Sequence, residues 1–122
     1  MAKRILIVDD ERSILRSTAM MLEDMGYEVA TCGDAAEILG SIESAKPDVV
    51  LQDIRMPGLD IEELVRTVRA DPRWARLPFV LFTASMDAEE VGARVGAALV
   101  LDKPFKPHEL LRAIEGALAV NA

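Results

Sequence analysis

The sequence predicts an α/β domain built on a five-stranded parallel sheet with helices on both faces. Three observations support this prediction. Short apolar segments alternate with longer segments of helical periodicity along the whole chain. Most of the short segments are apolar throughout, which is typical of strands that are covered on both sides. The chain has 122 residues, of which 51% are hydrophobic, so it can form one domain with a substantial core.

Five segments have the pattern of strands, because they are short, apolar and too short to be helices. They are residues 4–8, 27–31, 48–52, 78–82 and 99–101. The third is the most clearly bounded, since Pro47 precedes it and Pro57-Gly58 follows it as a strong turn signal. Parallel strands that are joined through helices have right-handed crossovers. The order expected for five such strands is 2-1-3-4-5, which makes the predicted fold a flavodoxin-like, doubly wound (βα)5 sheet.

Five segments with helical periodicity follow the strands in turn. They are residues 11–25, 35–45, 60–70, 87–95 and 107–118. Gly26 is expected to end the first helix, whereas Asp34 and Asp60 are expected to begin the second and third. Gly92 is expected to weaken the short fourth helix, because glycine has a low helix propensity. Pro107 suits the first turn of the last helix, where its missing N–H costs nothing.

Charge and cysteine content restrict the surroundings and the partners of this chain. The net charge of -7 disfavours nucleic acids and anionic membranes, whose phosphates attract lysine and arginine. No apolar run approaches the length of a membrane span, and the first strand begins too soon for a signal peptide. The single Cys32 cannot form an internal disulfide and is expected to be a small packed residue. We therefore expect a cytoplasmic protein that neither binds nucleic acid nor inserts into membranes.

Polar side chains follow four of the five predicted strands at the point where each strand ends. They are Asp9 and Asp10 after the first, Asp53 after the third, Thr83 after the fourth and Lys103 after the fifth. These strand ends should meet at one edge of the sheet, where ligands bind in open α/β folds. Three carboxylates in one crevice repel each other, so a cation would stabilise them. Carboxylate oxygens with open positions suit Mg²⁺.

The same set of groups can handle a phosphoryl group. A metal ion, the Lys103 ammonium and the Thr83 hydroxyl would stabilise its oxygens, and a carboxylate could accept it as a nucleophile. Other phosphate chemistry fits less well. The acidic loop after the first strand would repel a nucleotide or flavin phosphate, and a dehalogenase-type phosphatase would have a second acid where this chain has Arg55. His108 begins an outer helix and is expected to be solvated or to cap it.

Four segments resemble the motifs of the receiver domain of bacterial two-component response regulators. They are residues 5–11 (ILIVDDE), 53–58 (DIRMPG), 82–84 (FTA) and 102–105 (DKPF). Each segment alone is a weak signal, but the ordered set covers the chain from end to end and is highly specific. The resemblance implies that residues 1–122 are a single receiver domain with no output domain in this chain. The sequence leaves open whether the chain is a single-domain regulator or an excised part of a longer protein.

The resemblance implies a phosphoacceptor function. A histidine kinase or a histidine phosphotransfer protein would phosphorylate Asp53, and the domain would then change conformation to control a downstream protein that the sequence does not name. Thr83 would bond to the new phosphoryl group and Lys103 would pair with it. The Lys103–Pro104 peptide bond is usually cis in this family. Such a domain promotes only its own phosphorylation and dephosphorylation, so it is not an enzyme in the usual sense.

The resemblance also implies a set of metal ligands. Asp10 and Asp53 would bind Mg²⁺ directly, and Mn²⁺ could substitute for it. The backbone carbonyl of Arg55 would complete the protein ligands, and Asp9 would help through a water molecule.

Residues beside the site would modulate its chemistry. In the family, the residues at the positions of Arg55 and Ser85 flank the attacking water and tune hydrolysis, and Ala84 lies beside them in the sequence. We hypothesise that Arg55 reaches over the phosphoryl group and either shields it or binds it.

Three features depart from the family pattern. Val100 occupies the position of an aromatic residue that usually turns inward on activation, and a valine cannot act as such a rotamer switch. The segment between the fourth and fifth strands is slightly short, and Asp60 is followed by Ile61 where glycine is common. We therefore hypothesise that signalling depends on a change of order in the loop 84–90 and the fourth helix.

Two other functions compete with the phosphoacceptor. One is an interaction module that keeps the fold but works unphosphorylated, through the face between its fourth and fifth helices. The other is a metal-dependent phosphatase that acts on a separate substrate. The intact acids and Lys103 argue against the first, and the lack of a cap insertion or substrate pocket in the sequence argues against the second.

Overall fold

In the computed structural model, which describes residues 2–84 and 86–120, five strands form one parallel sheet in the order β2-β1-β3-β4-β5. The strands are β1 (Arg4–Val8), β2 (Glu28–Cys32), β3 (Val49–Gln52), β4 (Phe79–Thr83) and β5 (Leu99–Asp102). Their bounds agree with the sequence prediction to within one residue at each end. The predicted fold class and strand order are therefore confirmed.

The α-helices of the described residues alternate with the strands, as predicted. They are α1 (Arg12–Asp24), α2 (Ile38–Ala45), α3 (Ile61–Ala70), α4 (Ala88–Val95) and α5 (Pro107–Val120). The first turn of the predicted second helix is a separate 3-10 turn (Ala35–Glu37), and another 3-10 turn (Pro72–Trp74) follows α3. None of the helices in this part of the chain combines the length and the apolar character that crossing a membrane requires.

Alternate residues of each central strand pack into different halves of the core. Ile5 and Ile7 of β1 pack with side chains of α1 and α5, such as Leu22. Leu6 and Val8 pack on the opposite face, in the cluster that contains side chains of α2 and α3. The period-2 alternation of a strand sends neighbouring side chains to opposite faces, so a strand covered on both sides is apolar at nearly every position.

Local signals begin and end the helices as the sequence predicts. The Asp34 carboxylate accepts a hydrogen bond from Ala36 N at 3.0 Å, and Asp60 accepts one from Glu63 N at 3.1 Å, which satisfies a backbone donor that the helix itself cannot pair. Gly26 has a φ of 96°, in the left-handed region that a residue after a helix often adopts.

Gly92 has a packing role that the sequence did not indicate. It is buried where α4 lies against β5, and a Cβ built at this position would lie 2.6 Å from Val100 Cγ2. Real Cβ contacts are essentially never that short, so only glycine allows α4 to approach the strand this closely. The low helix propensity of Gly92 is thus accompanied by close contact between α4 and Val100.

We expect Gly92→Ala to lower the free energy of unfolding by about 1–3 kcal/mol, because overpacking at Val100 outweighs the gain in helix propensity. Urea unfolding measures this change. The matched control is Gly40→Ala in α2, where an added Cβ meets nothing within 4 Å. The control should raise stability by about 0.5–1 kcal/mol. If both variants gained stability equally, the close contact between α4 and β5 would be disproved.

Candidate functional site

The structure brings the predicted acidic residues together at the carboxyl edge of the sheet. Asp9 directly follows β1 and is fully buried, and Asp53 directly follows β3 with 4% of its surface exposed. Asp10 is exposed beside them. One carboxylate oxygen from each of these three residues lies within 4.8 Å of the other two. The predicted cluster is therefore a compact group of three acids.

Hydrogen bonds along the sheet continue past the strand ends and hold these residues in place. Asp9 N donates to Cys32 O at 3.1 Å, Asp53 N donates to Val8 O at 2.9 Å, and Lys103 N donates to Thr83 O at 3.1 Å. The backbones of Asp9, Asp53 and Lys103 are thus bonded to neighbouring strands. Because the sheet is rigid, it fixes the backbone position from which each of these side chains extends.

Two of the carboxylates are also oriented by the turns that follow them. Asp9 Oδ1 accepts a hydrogen bond from Glu11 N at 2.9 Å, and Asp53 Oδ1 accepts one from Arg55 N at 3.1 Å. Both are bonds from a side chain to the backbone two residues later, which aspartate favours at the start of a turn. Each carboxylate is therefore held on one oxygen and presents the other, Oδ2, to the cluster.

Lys103 contacts both buried carboxylates. Its Nζ lies 2.6 Å from Asp9 Oδ2 and 3.8 Å from Asp53 Oδ2, and 4.5 Å from the centroid of the Phe82 ring. The Lys103–Pro104 peptide bond is cis, as the family resemblance implies. Thr83 is the last residue of β4, and it is buried at the same edge of the sheet as Asp53 and Lys103. Lys103 supplies one positive charge against three carboxylates, so the cluster as it stands carries an excess of negative charge.

The environment of Asp53 opposes its ionisation. Burial raises the pKa of Asp53, and the negative charges of Asp9 and Asp10 add to this rise. The backbone hydrogen bond from Arg55 and the charge of Lys103 partly offset it. An additional cation in the cluster would favour the ionised form, and the donor set of carboxylate oxygens is the kind that hard divalent cations prefer.

We expect the raised pKa of Asp53 to appear as a pH dependence of stability when divalent cations are removed by a chelator. A carboxyl group whose folded-state pKa is raised contributes stability that is fully present below its unfolded pKa and is lost as the pH rises through the folded pKa. The wild type should therefore lose stability relative to Asp53→Asn as the pH rises above the ordinary carboxyl pKa of about 4. Urea midpoints of both proteins across this range measure the difference. A difference that stays constant with pH would contradict the assignment.

Asp53 and Lys103 open onto a cleft of about 410 Å³. The residues that line the cleft are Glu11, Asp53, Arg55, Thr83, Ala84 and Lys103. The predicted acceptor, hydroxyl donor and lysine thus share one cleft with Arg55 and Ala84, two of the three residues expected to modulate the site. The third, Ser85, lies outside the described residues.

Two other residues that the sequence analysis discussed, His108 and Val100, do not line the cleft. His108 is exposed on the first turn of α5, as expected for a solvated residue. Val100 on β5 faces Gly92 of α4. The helix therefore covers the position at which the family resemblance leads us to expect an aromatic residue.

Sequence reasoning gave no functional role to Asp87. Its Oδ1 lies 3.0 Å from Nη2 of Arg55 and connects the loop after β3 to the start of α4. Asp87 is 32 residues from Arg55 in the sequence, and it lies in a loop without a motif of its own. Only the packing of the two loops could reveal this ion pair.

The fold and the site together define a receiver-type α/β domain, in which acids and a lysine gather at the carboxyl edge of a doubly wound sheet. A family described as response regulator receiver domain matches residues 5–115. This chain belongs to that family, and the function expected from the sequence, that of a receiver domain in two-component signalling, is confirmed at this level.

Known relatives agree with this assignment. The chain is 35% identical over 123 residues to the DNA-binding response regulator MtrA of Mycobacterium tuberculosis, an alignment that covers 99% of this chain and 53% of MtrA. The chain thus spans about half the length of the curated relatives it matches. Among solved structures it resembles chemotaxis protein CheY4 of Vibrio cholerae (TM-score 0.86, 34% identity, 96% of this chain and 99% of that one). It also resembles a putative response regulator from Chloroflexus aurantiacus (TM-score 0.89, 32% identity, 98% and 99%).

Proposed function

We propose that Asp53 is the phosphoacceptor of this receiver domain and takes a phosphoryl group from a histidine kinase or a histidine phosphotransfer protein. The main support is the position of its carboxylate, which is buried in the cleft with Lys103 Nζ 3.8 Å from Oδ2 and with two further acids beside it. An acid in this position can act as a nucleophile toward a phosphoryl group, because the Lys103 ammonium beside it would stabilise the charged phosphoryl oxygens.

In the proposed transfer, a carboxylate oxygen of Asp53 attacks the phosphorus atom. The new P–O bond forms as the P–N bond of the phosphohistidine donor breaks, and the electron pair of that bond returns to the imidazole nitrogen. The product is an aspartyl phosphate. The Lys103 ammonium would stabilise the negative charge on the transferred oxygens, and the Thr83 hydroxyl would donate a hydrogen bond to one of them.

The acids of the cluster would also hold Mg²⁺, for which Mn²⁺ could substitute. Asp10 and Asp53 would bind the ion directly, together with the backbone carbonyl of Arg55, and Asp9 would assist through water. When bound, a divalent ion neutralises charge on phosphoryl oxygens. Asp9 keeps its hydrogen bond to Lys103, which leaves the exposed Asp10 as the acid most accessible to an entering cation.

Three residues, Arg55, Ala84 and Ser85, are proposed to tune the lifetime of the aspartyl phosphate. Arg55 and Ala84 line the cleft, and Ser85 follows Ala84 in the sequence. A long cationic side chain beside the phosphoryl group would compete with water for its oxygens, whereas the small Ala84 would leave room for water.

The chain is proposed to act in the cytoplasm as a receiver domain that controls a downstream protein. Its acidity argues against nucleic-acid binding by the domain itself, although MtrA is named as a DNA-binding regulator. In this proposal the domain promotes only its own phosphorylation and dephosphorylation and turns over no separate substrate.

Intact mass measured after incubation with acetyl phosphate tests the proposal. We expect a single phosphoryl adduct that requires Mg²⁺. If no adduct formed under conditions that modify a known receiver domain, the proposal would fail, and an interaction module that works unphosphorylated would be favoured.

A further inference from the structure

An ion pair joins the acceptor loop to the beginning of α4. Arg55 Nη2 lies 3.0 Å from Asp87 Oδ1, and both side chains are largely exposed. On one side, the backbone N–H of Arg55 donates to the carboxylate of Asp53. On the other side, Asp87 is the residue that directly precedes α4, and its carbonyl accepts from Val91 N at 2.9 Å. The pair therefore connects the acceptor carboxylate to the first turn of a helix through only two side chains.

The two anions that Arg55 can reach differ in strength as partners. Arg55 lines the cleft together with Asp53 and Lys103, so a phosphoryl group on Asp53 would lie beside the arginine. A phosphoryl group carries up to two negative charges and can accept two parallel hydrogen bonds from a guanidinium. The pair with Asp87 is exposed to water, and such pairs contribute little. The phosphoryl group should therefore win the competition for Arg55.

The Asp87 carboxylate also has a second role open to it. Aspartate is among the residues preferred before a helix, where its side chain accepts from backbone N–H groups of the first turn. In this structure the Asp87 side chain makes no such capping bond to α4. Its backbone has φ −96° and ψ 12°, which is not the extended conformation of a capping residue. When Arg55 moves away, the ion pair that draws the Asp87 carboxylate toward the acceptor loop is broken, and a capping bond to the first turn of α4 becomes available to that carboxylate.

We propose that Asp87 is a positioning residue that holds the Arg55 guanidinium at the rim of the cleft, and that a phosphoryl group on Asp53 draws Arg55 away and changes the first turn of α4. This proposal rests on Asp53 being the phosphoacceptor. It offers a route from the acceptor to α4 that requires no aromatic residue at Val100.

The rest of α4 is anchored independently of this pair. Arg94 in its last turn forms an ion pair with Glu62 of α3 at 2.9 Å, and Gly92 is buried against Val100. The change should therefore be concentrated in residues 86–91. Met86, which is fully exposed directly before Asp87, is a suitable reporter.

The test is a double-mutant cycle on Arg55→Ala and Asp87→Asn. Its first readout is the lifetime of the phosphoryl adduct after acetyl phosphate is removed, followed by intact mass. Arg55→Ala should shorten the lifetime, because water gains access to the phosphoryl group. Asp87→Asn should lengthen it by a factor of about two to five, which is the range expected from the strength of an exposed ion pair. The double variant should behave like Arg55→Ala alone, because Asp87 acts only through Arg55.

A second readout follows α4 directly. In protein labelled at its methionine methyl groups, the Met86 resonance should shift when excess acetyl phosphate and Mg²⁺ keep the wild type phosphorylated. Asp87→Asn should shift that resonance before phosphorylation, and Arg55→Ala should abolish the further shift. The matched control is Arg94→Ala, which breaks an exposed ion pair at the opposite end of the same helix and should alter neither the lifetime nor the response of Met86.

The outcomes separate this proposal from the one on which it rests. If the adduct forms but the effects of the two variants multiply, or if Met86 does not respond in the wild type, the coupling through Asp87 is wrong and the phosphoacceptor function stands. If the wild type forms no adduct, both proposals fail.

Discussion

Asp53→Asn is expected to abolish the phosphoryl adduct completely. Asparagine preserves the shape of the side chain and can keep the hydrogen bond from Arg55 N, but its amide is a poor nucleophile and cannot form a stable acyl phosphate. The measurement is the intact mass after incubation with acetyl phosphate and Mg²⁺, compared with that of the wild type under the same conditions. The expected result is loss of the single phosphoryl mass in the variant.

The matched control for this variant is Asp60→Asn. Asp60 is an exposed aspartate that caps α3, and asparagine is an equally good capping residue, so the fold should be unaffected. This control should be phosphorylated as the wild type is. An adduct that persisted in Asp53→Asn, whether on Asp9, Asp10 or elsewhere, would contradict the assignment of Asp53 as the acceptor.

Lys103→Met is expected to slow phosphorylation by a factor of about 10²–10³, because it removes a preorganised charge from the site where negative charge develops. Without divalent cations it should also lower the free energy of unfolding by about 3–5 kcal/mol, since the fully buried Asp9 loses its ionic partner. Methionine matches the lysine chain out to Cε and lacks the charged terminal nitrogen, so it leaves little empty volume. Adduct formation over time measures the first effect, and urea unfolding in a chelator measures the second.

Magnesium should offset part of the stability that Lys103→Met loses, because a bound cation replaces the missing positive charge. The cation should also bind more tightly to the variant than to the wild type, since the competing ammonium group is gone. Lys106→Met is the control, because Lys106 is an exposed lysine in the same loop. If Lys103→Met lost stability but were phosphorylated at the wild-type rate, the role of Lys103 would be structural only.

The elements of the fold could be read from local patterns. Apolar segments of four or five residues are too short for helices, and the turn residues around them mark where each strand stops. Asp34 and Asp60 make the hydrogen bonds at helix starts that their positions predicted. Such signals act within a few residues, so they survive in the folded protein with little change.

The grouping of the acids could also be anticipated, although Asp9 and Asp53 are far apart in the sequence. Parallel strands bring their carboxyl ends to one edge of the sheet. A residue that directly follows a strand is therefore placed at that edge. The grouping of the acids was therefore predictable, because it depends only on the order and direction of the strands in the sheet. The salt bridge from Lys103 to Asp9 was not predicted, because β3 and β4 separate the two strands and only the path of the long lysine side chain brings the groups together.

The amino-acid pattern by itself specifies the strands, the helices, their order and the identity of the acidic cluster, because periodicity and strand-end position are properties of the chain. The ion pair between Arg55 and Asp87 and the contact of Gly92 with Val100 were settled only by tertiary structure. Both depend on how α4 and its preceding loop dock beside the sheet. Such docking is decided by the shapes of surfaces that come together after the elements have formed, and no short-range pattern encodes it.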